Sequence, residues 1–419
     1  MEAGGALKAL SVFAMRVAYA TQPVESGVYS HFRALRERCA ACCVEFVGVS
    51  AGARASADPT AQREDPCCFW IAPHEIDPKR AAQAFVLWVG DNRIDAVISV
   101  GDPVINSALP FLPDNVVCLS RCYHNTAHSY GVSTFGWEFV DHIIATTPRQ
   151  QEDLRLRGFT GELVKLIPHG VRLESFHGAH RRSGNPIVVG YLGRLDEYQK
   201  GILTIAKVAA ILSKRQVPFE LRVAGSGPDE VALVRALDDA FPGGARALVG
   251  PVSPTQVPGF LRSLDIFIFP SRFEGFGIVL IEAMAAGAVP VASRIEGVTD
   301  FIIDDGTSGI LIPIDDAVAM ADAVQALGTD SSSRAAMAIA AVGAARERFN
   351  DDDMCEAYLR LLRAPPRYDR KGRPRSWSEF RMNPAFRRTL GSYLPRAVKA
   401  TLRRLAELRR LSQYGKTTR

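Results

Sequence analysis

The sequence predicts an α/β protein with two domains in succession, each built on a parallel sheet. Its 419 residues exceed what one ordinary hydrophobic core covers. Apolar, strand-like runs alternate with helix-like segments over most of the chain, which is the pattern of parallel sheets. Residues 176–186 interrupt this alternation with glycines, a proline and charged side chains, as an interdomain linker does. Two successive α/β halves imply a cleft between them.

The first half opens on an apolar run at residues 12–20, which predicts a buried strand, followed by a polar loop that contains Gly27. Residues 31–38 then predict a helix and residues 43–49 a second strand. Further strands are predicted at 95–100, 115–120, 142–146 and 164–168. In open parallel sheets ligands bind beyond the carboxyl ends of the strands, so the loops there are the candidates for function.

A second series follows the linker, with a predicted helix at residues 202–213. Its strands are predicted at 187–192, 220–224 and 265–269. After the last of these, a glycine-bearing loop leads into a helix-like segment that ends at Gly287. Residues 351–362 predict a further helix, with Asn350 as its cap and apolar side chains on one face.

The charge of the chain is distributed unevenly. Hydrophobic residues make up 47% of the chain and charged residues 23%, as in a soluble globular protein, and the net charge is +5. From Arg363 onward, however, 17 Lys or Arg stand against 3 Asp or Glu, a local charge of +14. The preceding residues therefore carry −9. The body is mildly acidic and the tail strongly basic.

Eight cysteines are present, and their spacing fits neither a disulfide framework nor a zinc site. Cys42 and Cys67 each enter apolar runs, which favours buried free thiols. Free thiols are typical of a reducing compartment, so we expect a cytoplasmic protein.

No run of the sequence approaches the roughly 20 apolar residues that a membrane span needs. Residues 6–20 look like a signal peptide, but Lys8 and Arg16 leave only seven uncharged residues between them. We interpret this segment as the first buried strand.

Three successive predicted strands of the second half end in loops that carry residues suited to binding a ligand. The first loop carries Arg194 and Lys200, two cations suited to a diphosphate. The second is Gly225-Ser-Gly-Pro228, whose glycines let the backbone approach a ligand closely. The third holds Glu274 and the turn Gly275-Phe-Gly277, and Glu282 follows in the helix-like segment. Each loop alone is an ordinary surface feature, but their equivalent placement predicts one common site.

These loops resemble the nucleotide-sugar domain of GT-B glycosyltransferases, in particular the large retaining group often called family 4, the glycosyl transferases group 1. The matching pieces are Gly193-Arg-Leu195, Lys200-Gly201, Val223-Ala-Gly-Ser-Gly-Pro228, Pro270-Ser-Arg-Phe-Glu-Gly-Phe-Gly277, Glu282-Ala-Met-Ala-Ala-Gly287 and Asp305-Gly-Thr-Ser-Gly-Ile-Leu311. In the first half, Lys165-Leu-Ile-Pro-His-Gly-Val171 resembles the family's segment before the linker, with His169 where Asn is usual. The resemblance covers about residues 11 to 363. It implies two Rossmann-like domains that face each other across a cleft.

The resemblance also implies roles for the loop residues. Glu282 would bind the two ribose hydroxyls of the donor, because one carboxylate has enough lone pairs for a vicinal diol. Glu274 would face the donor sugar, helped by the N–H groups of Gly275, Phe276 and Gly277, and Gly227 would lie against the donor. Arg194 and Lys200 would neutralise the leaving diphosphate. Such a site requires no metal and no cofactor, and no Asp-x-Asp metal motif stands at a matching position.

The first half is expected to bind the acceptor. The family usually has a glycine-rich loop after the first strand, and here only Gly27, preceded by Ser26, is available for that role. His124 stands where the family often has a histidine that faces the donor sugar, with His128 as the alternative. Retaining enzymes of this fold look to react on one face of the sugar, with the leaving phosphate assisting deprotonation of the acceptor. No protein nucleophile is then needed.

The resemblance predicts a metal-independent, retaining glycosyltransferase of the hexosyltransferase type. Its acceptor would be a glycan or lipid-linked saccharide in cell-envelope, lipopolysaccharide or exopolysaccharide synthesis. The domains are expected at 1–180, on the acceptor side, and 187–348, on the donor side, with a helix at 349–363 that crosses back and a tail at 364–419. Two alternatives stay open: a nucleotide-sugar 2-epimerase or hydrolase of the same fold, and a catalytically silent sugar-binding subunit.

The basic tail lies outside the resemblance. Residues 393–412 predict an amphipathic helix with Leu394, Leu402 and Leu405 on its apolar stripe. With Trp377, Phe380 and Phe386 upstream, this pattern suits an anionic membrane surface and favours peripheral attachment at the inner face of the plasma membrane. The alternatives are a helix packed on the body and a disordered tail. No recognition motif for nucleic acid accompanies the charge, so we expect no nucleic-acid partner.

Overall fold

A computed structural model describes residues 14–24, 26–53, 65–176, 186–240, 246–366, 374, 376–386, 398 and 401–402. The chain divides into two compact units. The first unit contains residues 1–172 and 350–385, and the second contains residues 173–349 and 386–419. Within the described ranges, no helix is long and apolar enough to cross a bilayer.

Within the described residues, the first unit is a parallel sheet of seven strands with helices beside it. Its strands are β1 (Met15–Ala20), β2 (Val44–Ala51), β3 (Cys68–Ile71), β4 (Ala96–Ser99), β5 (Val117–Arg121), β6 (His142–Ala145) and β7 (Val164–Leu166). Its helices are α1 (Gly27–Cys39), α2 (Pro78–Asp91), α3 (Pro103–Ala108), α4 (Ala127–Thr134) and α5 (Pro148–Leu156). The strand order is β3-β2-β1-β4-β5-β6-β7. This is a Rossmann-like order: β2 and β3 are added on one side of β1, and β4 to β7 follow on its other side. The strand order therefore reverses between β1 and β4.

The described part of the second unit repeats the same plan with six parallel strands. Its strands are β8 (Ile187–Leu192), β9 (Phe219–Ala224), β10 (Arg246–Gly250), β11 (Ile266–Phe269), β12 (Val289–Ser293) and β13 (Ile310–Ile312). Its helices are α6 (Glu197–Lys200), α7 (Leu203–Lys214), α8 (Glu230–Ala240), α9 (Val257–Arg262), α10 (Ile278–Ala285), α11 (Thr299–Ile302), α12 (Ala317–Thr329) and α13 (Ser331–Arg348). The order β10-β9-β8-β11-β12-β13 reverses between β8 and β11. Two parallel sheets with flanking helices confirm the predicted two-domain α/β fold.

Helix α14 (Asp351–Arg363) follows the second unit in sequence but belongs to the first unit. Asn350 caps it as expected, accepting a hydrogen bond from the N–H of Asp353 at 2.8 Å. Met354, Tyr358 and Leu362 of α14 are buried in the core that β1, β5 and α1 share. The hydrophobic core of the first unit is therefore assembled from two segments, one before and one after residues 173–349.

A disulfide joins Cys39, the last residue of α1, to Cys355 in α14. This corrects the expectation of free thiols throughout, because the two partners lie 316 residues apart and no local spacing signals the pair. Cys42 was also expected to be buried, yet its side chain is exposed, whereas Cys67 is half-buried. Both are free thiols.

A buried polar cluster lies where β1, β5, α1 and α14 meet. Arg121, at the end of β5, is fully buried, donating to the hydroxyl of Tyr19 at 3.2 Å and to Nε2 of His169 at 2.7 Å. Nδ1 of His31 lies 2.9 Å from the Tyr19 hydroxyl. The ring of His31 meets the rings of His169 and Tyr358 edge-on, at 4.6 and 5.4 Å. Because arginine only donates, Nε2 of His169 must be the acceptor, so His169 is neutral.

Part of the basic tail packs on the first unit. The indole of Trp377 is stacked on Phe111, with ring centroids 4.1 Å apart and planes at 6°, and Phe380 lies 6.1 Å from the same ring. Trp377 and Phe380, which had suggested a membrane contact, are therefore engaged within the protein. Of the predicted helix at 393–412 only residues 398, 401 and 402 are described, and these are helical.

The buried histidines predict acid sensitivity. Burial, together with the charge of Arg121, lowers the pKa of His31 and of His169 well below 6.5. The folded state therefore excludes protons that the unfolded state binds once the pH falls below about 6.5. Each histidine then removes about 1.4 kcal/mol of stability per pH unit. We expect the free energy of unfolding in urea to fall steeply between pH 6.5 and 5.

His169→Asn is expected to make the fall of unfolding free energy with pH shallower by the share of one histidine, about 1.4 kcal/mol per pH unit. The fold is expected to be kept, since an asparagine oxygen still accepts from Arg121. His74→Asn, at an exposed position, serves as the control for the substitution itself. Equal slopes in all three proteins would contradict the assignment of the slope to this cluster.

Candidate functional site in the second unit

The candidate site lies at the carboxyl ends of β8, β9 and β11, around the point where the strand order reverses. The loops after β8 and β9 are hydrogen-bonded to each other. The N–H of Leu195 donates to the Ser226 carbonyl at 2.8 Å, and the N–H of Asp229 donates to the Leu195 carbonyl at 3.0 Å. A side chain does not fit at this junction. A Cβ on Gly225 would lie 1.9 Å from the Gly193 oxygen, and one on Gly227 2.3 Å from the Leu195 oxygen.

These glycines therefore serve first to let two loops of the protein pack together. The sequence predicted that they allow close approach of a ligand, and the backbone seen against them belongs to the loop after β8. A contact of Gly227 with the donor stays a prediction.

An ion pair joins the loop after β8 to the loop after β11. Lys200, the last residue of α6, places Nζ 2.5 Å from Oε1 of Glu274 and 5.6 Å from the centre of the Phe269 ring. The side chains are only 16% and 7% exposed, so the pair is poorly screened by water. Nε2 of Gln199 contacts the other carboxylate oxygen of Glu274 at 3.4 Å. Lys200 and Glu274 are thus brought together as predicted, but as partners of each other.

Arg194 is held at the edge of this arrangement. Its Nη2 donates to Oε1 of Gln199 at 2.8 Å and lies 3.4 Å from a carboxylate oxygen of Asp196. The side chain is 56% exposed, so the guanidinium is accessible to an anion in solution. Gln199 bridges Arg194 and Glu274, a role that was not predicted because its amide carries no charge and stands beside the more conspicuous Lys200.

Arg272 is a second residue whose role the sequence did not predict. It lies within the matching segment after β11, and its guanidinium pairs with Glu197 at 2.6 Å and with Asp315 at 2.6 Å. Its N–H donates to the Gln199 carbonyl at 2.9 Å. Gly201, with φ +59°, would place a Cβ 2.5 Å from the Pro270 oxygen. Arg272 and this close backbone approach fix the spacing between α6 and the third loop.

The third loop ends at Gly277, whose φ of +105° favours glycine and starts α10. The ring of Phe276 is buried and lies edge-on to Phe349 at 5.8 Å. Phe276 was predicted to bind substrate, and this packing leaves its backbone rather than its ring for such a contact. Gly275 and the buried Glu274 precede it in the same turn.

Glu282 lies on α10 and is half-buried. Burial raises the pKa of its carboxyl to about 7. Within the described residues, no hydrogen bond or ion pair of this carboxylate is found, so two acceptor oxygens stand without a protein donor. A desolvated carboxylate without a donor is costly, and such groups concentrate at binding sites.

The other predicted residues belong to the first unit. Gly27 is the first residue of α1, and Ser26 caps that helix by accepting from the N–H of Tyr29 at 3.2 Å. His124 is half-buried in the loop after β5, and its N–H donates to Oγ of Ser129 at 3.1 Å. Among the described residues no group of three His, Cys, Asp or Glu is placed to hold a metal ion.

The second unit matches a family model, and about half of the chain is similar in sequence to known enzymes. Residues 174–342 match the model described as glycosyl transferases group 1. The chain is 33% identical over 201 residues to a phosphatidyl-myo-inositol mannosyltransferase from Mycolicibacterium smegmatis, covering 47% of this chain and 50% of that protein. It is 30% identical over 235 residues to a D-inositol 3-phosphate glycosyltransferase from Xylanimonas cellulosilytica, covering 52% and 56%. The chain thus spans about half the length of the curated relatives it matches.

The fold likeness extends further along the chain. The structure of HepE from Anabaena, in complex with UDP and glucose, aligns with a TM-score of 0.65 at 16% identity, covering 83% of this chain and 99% of that one. Identity at this level supports the fold alone, and it agrees with the two Rossmann-like units described above. Residues 174–342 are therefore a domain of the glycosyl transferases group 1 family, in a chain with the GT-B fold.

Proposed function

We propose that the protein is a retaining, metal-independent glycosyltransferase that moves a hexosyl group from a nucleoside-diphosphate sugar to a glycan or a lipid-linked saccharide of the cell envelope. The observation that carries the proposal is the buried Lys200–Glu274 pair at the strand-order reversal of a group 1 domain. Glu282 and the exposed Arg194 complete a set of two acids and two cations. The two relatives described above are named as a mannosyltransferase and a glycosyltransferase, which supports transfer of a sugar.

Glu282 is proposed to bind the ribose of the donor. Its half-buried carboxylate offers two oxygens for the two hydroxyls of a vicinal diol. The raised pKa of about 7 means that the carboxyl holds its proton more readily without ligand, and hydroxyl donors favour the ionised form. Binding of the ribose would therefore complete the hydrogen bonds that the unliganded protein lacks.

Arg194 and Lys200 are proposed to meet the charge on the diphosphate. As the bond from the anomeric carbon to the phosphate oxygen breaks, negative charge grows on that oxygen, and fixed cations stabilise it. Lys200 is already held in position by Glu274, at 2.5 Å. Two side-chain cations supply positive charge at this position, which is the basis for proposing a reaction without a metal.

The transfer itself is proposed to occur on one face of the sugar. The acceptor oxygen forms its bond to the anomeric carbon on the face that the diphosphate leaves, and its proton passes to a phosphate oxygen. Glu274 is paired with Lys200 and serves to hold the sugar, so no covalent intermediate on the protein is proposed. His124, rather than His128, is proposed to face the donor sugar, because Nδ1 of His128 is engaged by the Ala385 carbonyl at 2.8 Å.

The test begins with a thermal-shift screen against uridine, guanosine and adenosine diphosphate sugars. A donor at 100 times its dissociation constant stabilises the protein by about 2.7 kcal/mol. Release of nucleoside diphosphate is then measured with and without saccharide acceptors. Acceptor-dependent release supports transfer, release without acceptor favours the epimerase or hydrolase, and binding without any release favours a silent sugar-binding subunit.

Glu274→Ala and Lys200→Ala are each expected to lower transfer by at least about 100-fold, because each removes a group that acts on the sugar or the diphosphate. Both side chains are largely buried, so thermal unfolding is recorded for each variant. Lys207→Ala, at an exposed position on α7, is the matched control and is expected to keep full activity. Turnover within tenfold of the native rate in a folded Glu274→Ala or Lys200→Ala variant would contradict the assignment of that residue to the active site.

Glu282→Gln is expected to stabilise the unliganded protein above pH 7 while weakening donor binding. The raised pKa means that the folded state holds a proton between pH 4.5 and about 7 that the unfolded state releases. Stability is therefore lost as the pH rises through this window, and the amide escapes the loss. The difference in melting temperature between variant and native protein is expected to be small at pH 4.5 and largest above pH 7.

Glu230→Gln, at an exposed position, is the control for Glu282→Gln and is expected to show no such growth with pH. A difference that is constant from pH 4.5 to 8 would contradict the assignment of a raised pKa to Glu282.

We propose in addition that residues 387–419 attach the protein to the anionic inner face of the plasma membrane. Residues 376–385 belong to the first unit, so the informative truncation ends at Ala385 rather than near Leu362. Flotation with vesicles that contain anionic lipid is expected to carry the full chain and to leave the shortened chain behind. Equal flotation of both chains would contradict the proposal that residues 387–419 attach the protein to the membrane.

A further inference from the structure

We infer that residues 376–385, here called the strap, position the His124 loop of the same unit. The inference rests on the proposed function, in which His124 faces the donor sugar. The strap lies outside the group 1 domain and beyond α14, and no role was predicted for it apart from its aromatic residues.

The strap is an ordered segment anchored at its start. Ser376 and Glu379 form a reciprocal cap on a short helical turn, each side chain accepting from the backbone N–H at the other end. Trp377 stacks on Phe111, which follows α3, and Phe380 packs beside it. The strap is therefore fixed next to the carboxyl-terminal end of α3.

Asn383 is the centre of the strap and is 1% exposed. Its N–H donates to Oγ of Ser107 at 3.0 Å, and its Nδ2 donates to Oδ1 of Asn106 at 2.6 Å, both on α3. The same Nδ2 lies 3.4 Å from the Gly131 carbonyl of α4. Nδ2 of Asn106 in turn donates to the Val132 carbonyl of α4 at 3.0 Å. Two buried amides thus tie the strap, α3 and α4 into one network.

The end of the strap contacts α4 again. The Ala385 carbonyl lies 2.8 Å from Nδ1 of His128, and a Cβ on Gly131 would lie 3.1 Å from that of Ala385. The N–H of Ala385 donates to Oδ1 of Asn383 at 2.8 Å, so the two contacts are coupled. Satisfied buried networks of this kind rigidify the groups that they join.

Helix α4 in turn holds the His124 loop. Oγ of Ser129, in the first turn of α4, accepts from the N–H groups of Tyr123 and His124 at 3.2 and 3.1 Å. Thr126 caps α4 by accepting from the Ser129 N–H at 3.2 Å. A displacement of α4 therefore shifts the backbone of His124 directly. Strap, α4, Ser129 and His124 form one continuous line of hydrogen bonds and packing.

Asn383 is accordingly a positioning residue, and it is tested by Asn383→Ala. A misplacement of about 1 Å at a reacting group costs up to about 100-fold in rate. We expect kcat for sugar transfer to fall at least about tenfold, with the dissociation constant of the nucleotide sugar changed less than about twofold. Arg381→Ala, at an exposed position of the strap, is the matched control and is expected to keep the native kcat.

The decisive experiment is a double-mutant cycle that combines Asn383→Ala with His124→Ala. If Asn383 acts through His124, its loss lowers kcat in the native background and has no further effect once His124 is gone. A merely structural role lowers kcat by the same factor in both backgrounds and overturns the inference, as does an unchanged kcat in Asn383→Ala. Should Asn383→Ala fail to fold, Trp377→Ala loosens the strap from its half-buried end and is expected to give the same pattern.

Failure of the proposed function has a different signature. In that case the native protein itself neither binds a nucleotide sugar nor transfers one, before any strap variant is compared. Faster amide hydrogen exchange at residues 122–130 in Asn383→Ala, with exchange in the second unit unchanged, is expected even then. Unchanged exchange at 122–130 would show that the strap does not hold the loop.

Discussion

The ion pair between Lys200 and Glu274 is the interaction on which the site depends. It joins two loops from opposite sides of the strand-order reversal and, with 2.5 Å between its charged atoms, sets their separation before any ligand arrives. Arg272 and Gln199 reinforce the same junction with their own contacts. Arg194 and Lys200, which we propose to meet the diphosphate of the donor, are therefore paired with carboxylates in the unliganded protein. On that proposal the anion does not create the arrangement but shares cations that are already in place.

The two units repeat one plan and use it differently. The second unit holds its charged groups at the carboxyl edge of its sheet as ion pairs, of which Lys200–Glu274 is largely buried while Arg194 is 56% exposed. The first unit buries a cation at the corresponding end of β5, where Arg121 is surrounded by imidazole and phenol rings. Within the described residues no carboxylate contacts Arg121, so its positive charge is dispersed over neutral acceptors, which makes added protons on His31 or His169 costly.

Patterns that are local in sequence predicted the fold class and the loops of the candidate site. Alternating apolar runs predicted six of the seven described strands of the first sheet and three of the six of the second, and three glycine-bearing loops predicted where Arg194, Lys200 and Glu274 lie. What was missed depends on distance along the chain or on orientation. The 316 residues between Cys39 and Cys355 hide their pairing, and the strap has no periodicity that links it to α3. No pattern shows that the ring of Phe276 turns into the core, because loop side chains have no fixed period.

The position of α14 has a consequence for how the protein is made. A ribosome releases residues 1–172 long before residues 350–385, so the first unit cannot complete its core until residues 173–349 of the second unit have emerged. Until Met354 and Tyr358 of α14 are made, the apolar side chains of α1 in the same core lack these two packing partners. The usual order, in which the amino-terminal domain folds first during synthesis, is therefore reversed or delayed here. Residues 173–349 of the second unit are continuous in sequence, so they are free to fold before the first unit is complete.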